Sequence, residues 1–143
     1  IEPENEKTHL ILADFYKKTR AYDKAENTLK NAVSISENPP AIKAMLADFY
    51  FSRQRFDEAK TLNDTLLAEN KKLPQARLVN AKLAIKEGNS EKAITILDKL
   101  VNKNPRWGDA YFQLALAHLN KGNQELSQQA SSEAVKFMGN NSK

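Results

Sequence analysis

Ala25, Ala59, Ala93 and Ser127 stand 34 residues apart, and Ala13, Ala47, Ala81 and Ala115 form a second ladder with the same step. Other positions keep the phase. Leu12-Ala13-Asp14-Phe15-Tyr16 returns as Leu46-Ala47-Asp48-Phe49-Tyr50, and Tyr22-Asp23-Lys24-Ala25 as Phe56-Asp57-Glu58-Ala59. Gly88 and Gly122 are paired in the same way. Several ladders in register, with no insertion between them, mean four copies of one structural unit. A fixed period of this length is the signature of a stacked array in which neighbouring copies bury one another's apolar faces.

The copies read as helices. Leu46, Ala47 and Tyr50 make one helical stripe, and Ile42, Met45 and Phe49 another on the same segment; a helix apolar over that much of its circumference must be covered on several sides. Gly88 and Gly122 each precede an asparagine, a pair suited to ending one helix and capping the next. Pro39-Pro40, Pro74 and Pro105 mark the joins between copies, where proline is accepted in a first helical turn or just before it. The pattern predicts eight helices, at 6–19, 22–36, 40–53, 56–70, 74–87, 90–103, 107–121 and 124–138. Four repeats follow, at about 6–39, 40–73, 74–107 and 108–141, within a single domain spanning 1–143. Alanine on both helices of a pair lets their axes approach closely.

This pattern resembles the tetratricopeptide repeat over nearly the whole chain. Ala13, Ala47, Ala81 and Ala115 match the small residue at that family's eighth position, and Tyr16 and Tyr50 the aromatic at its eleventh. Ala25, Ala59 and Ala93 match its twentieth position, Ala32 and Ala134 its twenty-seventh, and Pro105 its thirty-second. Departures are Ser127, Leu66 and Leu100 in place of alanine, and Ala84 and His118 in place of an aromatic. They imply looser packing of the second helices in repeats two and three. The resemblance implies an all-α, right-handed α-solenoid of four helix-turn-helix repeats whose first helices line a concave face.

On that resemblance the partner-binding face comprises Leu10, Asp14 and Lys17 of the first repeat and Asp48 and Phe51 of the second. Leu78, Lys82 and Ile85 come from the third, and Phe112, Leu116 and Leu119 from the fourth. Independently of the family, these spacings of three and four put each set on one helix face. The groove would be polar in its first half and apolar in its second, where five large apolar side chains make a patch that soluble monomers seldom leave open. The expected function is a non-enzymatic scaffold holding a protein or peptide partner in that groove. Positions where some relatives grip a chaperone's terminal carboxylate are here Leu10, Asp14, Met45, Gln75 and Val79. None is a cation, which speaks against that role.

The residues exclude much chemistry. There are no cysteines, so no disulfide or thiolate site. His9 and His118 are the only histidines and fall at packing positions at opposite ends of the array, so no metal site is read. No glycine-rich phosphate loop and no nucleophile-base set can be assembled, and no cofactor is implied. Asp14 and Asp48 are equivalent surface positions rather than an acid/base pair. Trp107 should pack over the first turn of the last repeat.

The net charge of +4 comes from lysines and arginines scattered among acids, which fits a solvated surface better than a nucleic-acid face. Single-stranded RNA binding by related helical repeats is the alternative from another class, and an RNA mobility shift separates the two. Self-association through the same face is a third reading. No run is long and apolar enough to span a bilayer. Compartment stays open between cytoplasm and a bacterial envelope. Ile1 is not methionine, and Ile11 and Phe15 lack a preceding repeat to cover them, so more chain is expected upstream.

Overall fold

The computed structural model describes residues 5–139, and among these are eight helices and no strand. In order they are α1 (Glu6–Lys18), α2 (Tyr22–Ile35), α3 (Pro39–Ser52), α4 (Phe56–Glu69), α5 (Pro74–Lys86), α6 (Ser90–Lys103), α7 (Gly108–Asn120) and α8 (Gln124–Gly139). Each agrees with the helix read from the sequence to within a residue at either end. The punctuation explains this. Pro39 opens α3 and Pro74 opens α5, positions where the missing N–H has no intrahelical acceptor to lose. The Asn89 side chain accepts from the backbone N–H of Lys92 at 3.2 Å and caps α6.

Two compact units are present, Ile1–Ala76 and Arg77–Lys143. In the first, α1 packs on α2, α2 on α3 and α3 on α4. Ala13, Ala25, Ala47 and Ala59, the rungs of both ladders, are buried there, and Leu29 and Ile42 fill the space between helices. In the second unit α7 packs on both α6 and α8. Its core joins Leu78, Ala81 and Ala84 of α5 to Ala93, Leu97 and Leu100 of α6 and to Ala110, Leu114 and Ala117 of α7. Trp107 lies half-buried against that core, at the residue preceding α7.

The departures from the ladders have physical reasons. Ser127 is buried, and its Oγ donates to the carbonyl of Ala115 at 2.9 Å, a helix-to-helix hydrogen bond that alanine could not make. Leu66 and Leu100 are fully buried rather than loosely seated, so the larger side chain is taken up by the core. Asn63 occupies the register position filled by Leu29 and Leu97. It is fully buried, and its Nδ2 donates to the carbonyl of Ala76 at 2.8 Å.

The turn inside each repeat uses one left-handed residue: Arg20 (φ 62°), Gln54 (φ 62°), Gly88 (φ 82°) and Gly122 (φ 85°), again 34 apart. Glycine adopts this conformation without strain, whereas a side chain costs roughly 1 kcal/mol there. Gln54→Gly is therefore expected to raise stability by about 0.5–1 kcal/mol, after allowing for the freer unfolded chain. A urea midpoint lower than that of the parent protein would refute this.

Candidate functional site

The apolar half of the expected face lies in the second unit. Along α7, Ala110, Leu114, Ala117 and His118 turn inward and are buried. Phe112, Leu116 and Leu119, at intervals of four and three, fall on another side of the same helix and are 52%, 36% and 58% exposed. They form one continuous apolar stripe. The helix start is held close to its neighbour because residue 108 is glycine: a Cβ there would lie 3.0 Å from the backbone nitrogen of Met138 in α8.

The α5 residues are placed differently. Leu78 is only 8% exposed and belongs to the core shared by α5, α6 and α7, so it offers no surface to a partner. Ile85 is half-buried and packs against that same core, and Lys82 is half-buried. The open apolar surface thus rests on three α7 side chains rather than on five spread over two helices. The reason is that Leu78 packs into the core with residues of α6 and α7, so burial claims it although its spacing groups it with Lys82 and Ile85.

The residues expected to line the first unit's part of the face are Leu10, Asp14, Lys17, Asp48 and Phe51. Asp14 pairs with Lys18 one turn on, at 2.9 Å. The hydrogen bond from Lys18 holds the Asp14 carboxyl below the usual carboxylate range and raises the lysine in return. Leu10 and Lys17 of α1 and Asp48 of α3 are half-buried. Phe51 is also half-buried, its ring edge-on to Phe56 with centroids 5.2 Å apart.

A polar cluster of the first unit went unread in the sequence. Glu26 of α2, with its side chain 15% exposed, accepts hydrogen bonds from Tyr50 Oη at 3.0 Å and Arg55 Nη1 at 2.8 Å. Lys30 Nζ lies 3.1 Å from the same carboxylate. Arg55 also donates to Glu58, from Nε at 2.7 Å and Nη2 at 2.6 Å, and its guanidinium lies over the Tyr50 ring, 4.5 Å from the centroid. Arg55 above all, then Lys30 and Tyr50, hold Glu26 down to about 2 against the opposing effect of burial. Burial first, then the Glu26 charge, pushes the Tyr50 hydroxyl up. The residues are 24 and 29 positions apart, and no local pattern links them. The cluster clamps α2 to α3 and to the turn before α4.

The chain's likenesses agree with this architecture. Tetratricopeptide repeat profiles match residues 18–76, 81–106 and 108–137. No curated protein matches the sequence. Among solved structures, a thermophilic repeat protein of Thermus thermophilus, TTC0263, is 18% identical with a TM-score of 0.77, over 93% of this chain and 74% of that one. PilW, described as a widely conserved type IV pilus biogenesis factor, is 21% identical with a TM-score of 0.72, over 96% of this chain and 64% of its own. MamA from Desulfovibrio magneticus RS-1 is 19% identical with a TM-score of 0.64, over 92% and 75%. At such identities the likeness shows the fold alone.

Proposed function

Because the chain belongs to the tetratricopeptide repeat family, we propose that it is a non-enzymatic scaffold that binds an apolar segment of another protein on α7. The observation that carries this reading is the exposed stripe of Phe112, Leu116 and Leu119. Its spacing suits the anchors of an extended or helical peptide, and a buried aromatic among aliphatic neighbours is the usual centre of such contacts. The polar side chains that could suggest catalysis have other employment. Asp14 is held ionised by Lys18, the wrong state for a general acid at neutral pH, and the His9 ring lies 3.0 Å from the Asn5 carbonyl of its own cap. Within the second unit, half-buried Lys82 and Ile85 would border this stripe, while Leu10, Lys17, Asp48 and Phe51 would offer the first unit's own contacts. PilW's description as a pilus biogenesis factor is in keeping with a role in assembling other proteins.

Phe112→Glu combined with Leu116→Glu is expected to weaken binding to partners retained from the native source by at least about tenfold, the circular dichroism of the fold being unchanged. Partner affinity unchanged by these two charges would sink the proposal. If the stripe instead mediates self-association, light scattering over a concentration series will show a dimer that the same variant loses.

A further inference from the structure

Each unit carries a groove at the same repeat position. In the first unit it encloses about 490 Å³, floored by Leu46 and Tyr50 of α3 and walled by Glu58, Thr61 and Thr65 of α4. In the second it encloses about 550 Å³, with Leu114 and His118 of α7 and Leu126, Gln129 and Glu133 of α8 standing two repeats, or 68 positions, further on. The two grooves treat their polar floor in opposite ways. Tyr50 is satisfied from within the chain, by Glu26, with Arg55 stacked over its ring and Lys30 beside.

Sixty-eight positions on, Glu26 is replaced by Ile94, Arg55 by Asn123 and Lys30 by Asp98, while Glu133 stands where Thr65 was. Both cations are gone, the acids Glu26 and Glu58 have become Ile94 and Leu126, and two carboxylates stand at new positions without a cation beside them in the equivalent set. His118, at the place of Tyr50, lines the groove at 7% exposure, and its Nδ1 is buried without a hydrogen-bond partner, so this floor has no counterpart of the Tyr50–Glu26 bond. Among the described residues neither Asp98 nor Glu133 makes an ion pair. Glu133 lies close enough to Tyr111, another residue of this groove, for its charge to add to burial in raising that phenol. No three metal-ligating side chains among the described residues converge, which directs the choice to an organic cation.

We propose that this groove of the second unit receives an arginine side chain of a partner protein, its guanidinium between Asp98 and Glu133 and its stem against Leu114 and Leu126. In the first unit the chain's own Arg55 lies over the ring at the corresponding position, held by Glu26 and Glu58; here those two acids are Ile94 and Leu126, and Asp98 and Glu133 are the carboxylates on offer. A guanidinium suits the site better than an ammonium because it stacks on flat rings and forks onto carboxylates. The groove is distinct from the α7 stripe, since Leu114 and His118 lie on a different side of that helix from Phe112, Leu116 and Leu119.

The test is a nuclear magnetic resonance titration of the labelled protein with Nα-acetyl-arginine methylamide, set beside its uncharged isostere, the citrulline analogue. The arginine probe is expected to shift the signals of His118, Tyr111 and Glu133 saturably, with citrulline at least about tenfold weaker. Asp98→Asn with Glu133→Gln should weaken the arginine probe by a similar factor. A second variant, Ile94→Glu, Asn123→Arg and His118→Tyr together, rebuilds the first unit's internal network and should abolish binding while remaining helical. An equal response to citrulline, binding by either folded variant as strong as the parent's, or no saturable shift in the parent protein overturns the proposal.

Discussion

Leu100→Ala is expected to lower the unfolding free energy by about 3 kcal/mol, although it installs the residue that the first and fourth repeats carry as Ala32 and Ala134. Leu100 is fully buried, in a core with Ala93, Leu97, Ala110 and Leu114. Cutting it to alanine removes three carbons from a region already built around small residues on the facing helices. Those helices are held by their own alanine contacts and cannot close over the gap, so a cavity term adds to the lost burial. Leu66→Ala should behave similarly in the first unit. Urea unfolding followed by circular dichroism measures both, provided the slope of the transition stays that of the parent. A loss under about 1 kcal/mol would mean that the repeat tolerates alanine there, and that the leucine is incidental.

Glu26→Gln is expected to cost about 2 kcal/mol at neutral pH, because it removes the charge to which Arg55, Lys30 and Tyr50 all converge. The full depression of the carboxyl from 4.5 to about 2 would be worth somewhat more, but the outer members of the cluster are partly solvated and screening reduces the yield. The sign of the pH effect follows from that depression. A carboxyl held lower in the folded than in the unfolded state stabilises the fold fully above about 4.5, and the contribution drains away as pH falls toward about 2. The parent should therefore lose stability across that window more steeply than Glu26→Gln. Parallel curves for the two proteins would show that the carboxylate carries no linkage.

The helices, their caps and the repeat register were legible because each depends on neighbours close in sequence. Asn89 caps α6 three residues away, proline sits where a helix begins, and the alanine rungs mark contacts between helices adjacent in the chain. The candidate site was less so. Phe112, Leu116 and Leu119 share one face of α7, as their spacing implied, and are exposed, but Leu78 has the same character in sequence and lies in the core. Spacing tells which residues share a face of α5. It does not tell that α6 and α7 close over the part of that face carrying Leu78.

The period and the small residues at its rungs were enough to determine an all-helical repeat with eight segments, since hydrophobic periodicity and chain punctuation are local properties of the chain. Only the tertiary structure decided which polar side chains find partners. Glu26 meets Arg55 across 29 residues, and His118 is buried without a hydrogen-bond partner for its Nδ1. Hydrogen bonds and desolvation depend on distances of a few ångströms between residues far apart in the chain, and no periodicity records them.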